Sequence, residues 1–445
     1  MTVLIKILQF ILSLSLLVII HELGHFLFAK YFKTRVEKFY LFFDAWFSLF
    51  KFKKGETEYG IGWIPLGGYV KISGMIDESM DLDQLKQPPQ PYEFRSKTSW
   101  QRLLIMTGGV LFNFILAMLI FVFVLFKWGE TYLPTSSVKY GIVTDSVGIS
   151  MGLQNGDKIL SVDNQPIEDF MTLTSDIVFN LRKTIQVDRN GERVEIEIPK
   201  EYIPQLLKGR GAISYRTPFS VQRVLSFAKE SPAQEAGLLK GDVIIGLDDL
   251  TFEYYDEYQA YLAKNATKPV VVNVIRAGEN ENITVSPNEN GLLGTHLEGE
   301  KALSEVFELK TLTYGFLESI PAGISKGFKT VSDYLKQFRV LFKKDTKAYE
   351  SVGGFITIAN IFPEMWDWQV FWERTAFLSI ILAVMNILPI PALDGGHVMF
   401  LLYEVVTGRK PSDKFLENAQ IIGLIILFSL LIFANGNDIL RLIGK

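Results

Sequence analysis

Apolar residues collect in four runs along the chain, at Val3–Phe28, Leu103–Phe126, Thr375–Leu393 and Ile421–Ala434. Up to Ile20 the first carries one charge, Lys6, and is otherwise dominated by Leu, Ile, Val and Phe, and the second and third carry no charge. Each approaches or exceeds the roughly 20 residues that cross a bilayer as a helix, the fourth having the shortest apolar core. Residues 127–374, between the second and third runs, are polar by contrast and read as an extramembrane insert. The pattern predicts a polytopic α-helical membrane protein with four transmembrane helices, two on each side of that insert.

The insert repeats itself. Gly152-Leu153-x-x-Gly156-Asp157 recurs as Gly237-Leu238-x-x-Gly241-Asp242, and in each copy an apolar run leads to a second aspartate, Asp163 or Asp248. Strands are predicted at Thr184–Val187 and Val194–Ile198 in the first copy, and at Val270–Ile275 and Ile283–Val285 in the second. Asn190-Gly191 and Ala277-Gly278 supply the hairpin turns. The glycine pattern resembles that of PDZ domains, which bind extended peptides, often by their C-terminal carboxylate, through strand addition at a sheet edge. Two tandem PDZ-like β-rich domains are therefore expected between spans two and three. They act either as peptide binders or as spacers that restrict access. Downstream, Val331, Tyr334, Leu335, Phe338, Leu341 and Phe342 fall at helical spacing, with Lys336, Arg339, Lys343 and Lys344 around them. This amphipathic helix is expected either to lie on the bilayer surface or to pack on the second β domain.

The expected organisation is then span one at 1–30, a loop at 31–100, span two at 101–127, and β domains at 128–208 and 209–300. An amphipathic helix and linker at 301–372 precede span three at 373–397, a loop at 398–417, span four at 418–436 and a tail at 437–445. Within the first loop, Glu58–Ile72 is apolar but too broken by glycine and proline to span. With Phe39–Phe52 it is expected to form hairpins dipping toward the bilayer, where non-helical backbone must be buried or line a wet cavity. Lys30, Lys33, Arg35, Lys38, Arg95, Lys97 and Arg102 flank that loop, and Arg409, Lys410 and Lys414 the second. The cation bias predicts both loops on the cytoplasmic side, with both termini and the insert outside. A net charge of −4 gives no basic field for nucleic acid, and the absence of cysteine rules out disulfides and thiolate-bound zinc.

His21-Glu22-Leu23-Gly24-His25 sits at the end of the first apolar run. Two histidines four apart share one helix face, so both imidazoles reach one metal ion, and Glu22 lies beside the first. Ionisable side chains in lipid are costly and mark function. The bland alternatives are a pair of snorkelling helix-end histidines, or a signal peptide, which lacks a small-residue cleavage site. Catalytic zinc takes three protein ligands and keeps one position open. Asp394, directly after the third run and its Pro389 and Pro391, is the candidate third ligand; alone it also reads as a turn aspartate in water. His397 reads as a supporting or turn residue and His296 as surface.

HELGH in span one, Gly108-Gly109-x-x-x-Asn113 in span two and Asn386-x-x-Pro389-x-Pro391-x-Leu393-Asp394-Gly395-Gly396-His397 in span three together resemble the site-2 protease family of intramembrane zinc metalloproteases. The resemblance covers nearly the whole chain. It implies that His21, His25 and Asp394 bind Zn2+, that Glu22 is general base and acid, and that Asn113 and Asn386 hold substrate backbone or the developing oxyanion. It also implies a bacterial inner-membrane location, with β domains in the periplasm and the site near the cytoplasmic face. Implied substrates are single-span proteins already cut once outside the membrane, such as an anti-sigma factor or a remnant signal peptide. Two departures bear on substrate preference. Gly109-Val110 stands where the family often has Gly-Pro, and Tyr40-Leu41-Phe42-Phe43-Asp44 where it often has Gly-Phe-Gly-Pro.

Overall fold

The computed structural model describes residues 2–75, 88–208, 212–219, 222–298, 303–343, 346 and 348–443. Lys344 and the last two residues of the expected tail lie outside them. The chain divides into two compact units, one of residues 1–129, 313–339 and 349–445, the other of residues 130–312 and 340–348.

The long helices of the first unit are α1 (Thr2–Tyr31), α2 (Ser99–Trp128), α3 (Phe316–Leu341, the last two residues of which belong to the second unit), α4 (Trp368–Ile387), α5 (Asp394–Thr407) and α6 (Asp413–Ile443). Among the described residues α1, α2, α4 and α6 are long and apolar enough to cross a membrane. With no water in a bilayer core, such helices satisfy their backbone internally and need capping groups only at their ends. At its start α2 has a capping box between Thr98 and Gln101, and it stops at Gly129, whose φ of 74° suits glycine. Asp367 caps α4 by accepting the Val370 N–H. Ala117, Ile120, Phe121 and Val124 of α2 pack against Ala376, Ile380 and Val384 of α4.

Between α1 and α2 lies a four-stranded sheet of β1 (Val36–Phe43), β2 (Phe50–Lys54), β3 (Thr57–Ile61) and β4 (Ile64–Ile72), in the order β2-β3-β1-β4. β2 and β3 form a tight hairpin at Gly55 (φ 63°). The rest is not a hairpin series, because β1 pairs with β3 in parallel and with β4 antiparallel. β4 is thus an edge strand, and a Cβ on its Gly68 would stand 2.6 Å from Val18 and 3.5 Å from Glu22 of α1.

Several expected boundaries move. The third span ends at Ile387 rather than Leu393, because Pro389 and Pro391 have no N–H to continue the helix. The expected loop at 398–417 is mostly helix: α5 starts at Asp394, buries Val398 and Leu401, and ends at Gly408 (φ 69°). The expected 437–445 tail is helix to Ile443, continuing a fourth span that starts at Asp413. The amphipathic helix starts earlier than expected, at Phe316, and its first part packs on the apolar helices. Its Val331 and Tyr334 join the α2–α4 cluster. Its Gly323 and Gly327 approach Val122 and Met118 so closely that a Cβ would collide with them.

The second unit holds two β modules. In the first, β5 (Lys158–Val162), β6 (Thr184–Arg189) and β7 (Glu192–Glu197) form an antiparallel sheet beside helix Leu173–Asn180. In the second, β8 (Gln222–Phe227), β9 (Val243–Leu247), β10 (Val270–Arg276), β11 (Glu279–Val285) and β12 (Thr295–Glu298) form a sheet in the order β11-β10-β9-β8-β12, beside helix Tyr255–Lys264. The expected 208/209 boundary is displaced, because Ile213–Tyr215 pairs back onto Ile142–Thr144 and closes the first module. His296 is exposed on β12.

Structure explains the repeat residue by residue. Gly152, Gly156, Gly237 and Gly241 all have φ between 94° and 101°, a region L side chains avoid. The aspartate after each pair, Asp157 or Asp242, is 1% exposed, accepts a backbone N–H three residues earlier, and pairs with Arg189 or Arg276. Each arginine also donates to the first glycine's carbonyl. Asp163 and Asp248 both adopt φ near 50° and accept N–H groups from the next strand.

Burial pushes the Asp242 carboxyl up, but Arg276 and the Leu239 N–H outweigh it and hold the group below the usual range. That stabilisation is complete above about pH 4 and fades as pH falls through the lowered folded value. Asp242→Asn should therefore weaken hydrogen-exchange protection of β8–β11 by about 3 kcal/mol at pH 7, with the difference from the parent shrinking in acid.

Candidate functional site

Three helices deliver polar side chains to one point. α1 presents His21, Glu22 and His25, α4 ends with Asn386, and α5 begins with Asp394. Between the last two, residues 388–393 form a proline-broken turn in which Ala392 takes φ 78°, a strained value for a residue with a side chain. Its N–H donates to Gln420 Oε1 of α6, and a Cβ on Gly423 of α6 would collide with the Pro391 carbonyl. Gly395 and Gly396 let the start of α5 press onto the same turn.

His21 Nε2 and His25 Nε2 are 3.3 Å apart, and each lies 3.2 Å from Asp394 Oδ2. These three atoms make a nearly equilateral triangle. Ligands of tetrahedral zinc at about 2.0–2.1 Å must stand about 3.3–3.4 Å from one another, so the edges fit one zinc ion capping the triangle. Asp394 Oδ2 is buried with no hydrogen-bond donor among the described residues despite two nearby nitrogens. A lone pair aimed at a cation explains that better than an ordinary ion pair, since an unsatisfied buried carboxylate is costly. Two imidazoles and one carboxylate make a donor set that fits a catalytic zinc.

The far nitrogens of the imidazoles are also held. His25 Nδ1 lies 2.8 Å from the Ile105 carbonyl oxygen of α2, which requires a proton on Nδ1 and leaves Nε2 to bind metal. His21 Nδ1 faces Asn113 Nδ2 at 3.3 Å, while Asn113 Oδ1 is buried without a donor. Turning the amide end for end satisfies both: Oδ1 then accepts the His21 Nδ1–H, the counterpart of the Ile105 contact. Asn386 occupies a different place, with Nδ2 3.4 Å from His21 Nε2, beside the ligand triangle itself. Glu22 accepts a hydrogen bond from the Val70 N–H of β4. His397 is not among the clustered ligand atoms; it faces a separate cavity three residues along α5.

α1 and α2 touch backbone to backbone. A Cβ on Gly24 would lie 2.2 Å from the Gly108 oxygen, and one on Gly108 would lie 2.6 Å from the Gly24 oxygen. A Cβ on Gly109 would stand 2.4 Å from His25 Nε2 and 2.6 Å from His21 Cε1. The spacing Gly108-Gly109-x-x-x-Asn113 is thus a helix contact, room for two rings and, one turn on, an amide that reaches the first ring. Sequence reasoning missed the Ile105 carbonyl and Gln420. The first carries no side-chain signal, whereas an amide at the entrance of an apolar span was a usable sign for the second.

A profile of peptidase family M50 matches residues 9–430. The chain is 28% identical over 442 residues to a "Putative zinc metalloprotease" of Rickettsia conorii, covering 98% of this chain and 99% of that protein. It is 29% identical over 460 residues to a protein of the same description from Neisseria meningitidis, covering 98% and 99%. It is also 29% identical over 461 residues to the "Regulator of sigma E protease" of Haemophilus influenzae, covering 98% of each.

Gly109→Ala should displace both imidazoles and lower bound zinc, read by metal analysis of the purified protein, while far-UV circular dichroism stays unchanged. Asn113→Ala should weaken zinc affinity by about 10–100-fold, as loss of a ligand's supporting hydrogen bond does.

Proposed function

The chain belongs to peptidase family M50, the site-2 proteases, and is a zinc metalloprotease; from that premise we propose that it cuts single-span membrane proteins within the bilayer. Its substrates in this reading have already lost most of their outer domain to an earlier cleavage, and include an anti-sigma factor and remnant signal peptides. The observation that carries the reading is the triangle of His21, His25 and Asp394, built on helices of which α1 is itself a candidate span.

Zinc, when bound by these three side chains, supplies a Lewis acid and lowers the pKa of water toward neutrality. Glu22, next to His21, takes the proton from the attacking water and delivers it to the leaving amide nitrogen. Asn386 Nδ2, beside the triangle, donates to the scissile carbonyl oxygen as charge grows there. Asn113 acts one step back, orienting His21. A substrate helix hides its carbonyls in internal hydrogen bonds and must unwind before attack. The edge strand β4, which meets α1 at Glu22, receives the unwound segment in the manner of strand addition.

The two β modules share a glycine and aspartate framework that resembles that of PDZ domains, and each combines a helix with an antiparallel sheet. In this reading they stand outside the inner membrane of a bacterium, bind extended peptide ends at a sheet edge, and exclude intact ectodomains by size. The loops rich in lysine and arginine face the cytoplasm.

Glu22→Gln should retain zinc and abolish cleavage of a transmembrane model substrate in detergent; full activity would remove Glu22 from the mechanism. Asn386→Ala should also retain zinc and lower kcat by about 10²–10³. This separates it from Asn113, whose loss acts first on metal content.

A further inference from the structure

We propose that Gln420 and Gly423 of α6 grip the peptide between Pro391 and Ala392 and thereby hold Asp394 in place for zinc, which makes Gln420 a positioning residue of the metal site. The Leu393 N–H donates to the Ile390 carbonyl at 3.1 Å, so Pro391 and Ala392 are the central residues of a β-turn. Ala392 has φ 78°, while a proline ring fixes φ near −65°. A negative φ followed by a positive one marks a type II turn, whose third position favours glycine or asparagine. Alanine there is strained, and turning the central peptide over into a type I turn would relieve it.

Both polar ends of that peptide meet α6. The Ala392 N–H donates to Gln420 Oε1 at 3.2 Å, and Gln420 is 5% exposed. The Pro391 carbonyl lies so close to Gly423, on the next turn of α6, that a Cβ there would overlap it. α6 supplies none of the three ligand atoms. From Ile425 to Phe433 it is exposed at every position but Leu427, and near its far end Asp438 accepts the Gly354 and Thr357 N–H groups. Asp394 follows Ala392 by two residues and opens α5, with Oδ2 3.2 Å from each imidazole Nε2. The two turn types differ at both central residues, so loss of the grip changes the direction in which Leu393 and Asp394 leave the turn. Hydrogen bonds one step behind a ligand orient it for its metal in this way.

The inference rests on Asp394 being the third zinc ligand. Its test is the zinc affinity of the purified full chain in detergent, read by competition with a chelator. Gln420→Leu, which removes the acceptor and keeps an apolar side chain of similar size, should weaken zinc binding about tenfold. Ala392→Gly, which removes the strain that the grip opposes, should bind zinc like the parent. Added to Gln420→Leu, it should restore affinity to within about threefold of the parent. Asp438→Asn, which loosens the far end of α6, should leave affinity unchanged. The proposal is overturned if Gln420→Leu binds zinc like the parent while Asp394→Ala loses it, or if Ala392→Gly restores nothing to Gln420→Leu. It is equally overturned if Asp438→Asn weakens zinc binding as much as Gln420→Leu does, since the effect would then be general loosening of α6. Parent-like affinity in Asp394→Ala would instead remove the third-ligand reading, and this proposal with it.

Discussion

α1 and α2 meet at Gly24 and Gly108 with no side chain between their backbones, and the metal site depends on that contact. At the close approach the rings of His21 and His25 lie against Gly109, and α2 can reach around them with the Ile105 carbonyl and the Asn113 amide. A methyl group at any of the three glycines would push the helices or the rings apart. Between membrane helices, where lipid tails give no hydrophobic drive for association, small residues and interhelical hydrogen bonds do this work. The same logic recurs deeper in the bundle, where Thr375 donates to Ser13 Oγ and Ser379 to the Asn113 carbonyl.

The proposed third ligand, Asp394, is positioned by the opposite device, a break. Pro389 and Pro391 end α4 and leave a turn whose strained Ala392 is held by Gln420. The break places a carboxylate at the head of α5 and Asn386 at the foot of α4, so one interrupted helix supplies both the proposed third ligand and the proposed donor for the oxyanion. Broken helices inside a membrane protein are tolerated where neighbours satisfy the freed backbone, and α6 does so here.

Much of this could be read from residues alone, and the failures have physical causes. The four apolar runs and the HExxH spacing state their structure directly, because burial in lipid and the 3.6-residue turn act on local sequence. The glycine repeat also indicated the β modules, since positive φ restricts residue choice. Hydropathy placed the end of the third span six residues late, because Leu388–Leu393 is apolar enough to span yet lacks the N–H groups to stay helical. It likewise hid α5, whose apolar residues serve a short helix rather than a loop. Asn113 and Asn386 looked alike in sequence, each an amide in an apolar run. Only their opposite positions at the two nitrogens of His21 separate a positioning role from a place beside the reacting atoms. The arginines that complete each β module, Arg189 and Arg276, lie too far from their aspartates in sequence for spacing to link them.

The central claim is that His21, His25 and Asp394 together hold one zinc ion. X-ray absorption at the zinc edge on the purified chain tests it most directly. The account predicts one zinc per chain with two imidazole nitrogens and light oxygen ligands at about 2.0–2.1 Å, and loss of an oxygen ligand or of the metal in Asp394→Ala. Zinc absent from the parent protein, or a zinc environment identical in parent and Asp394→Ala, would contradict it.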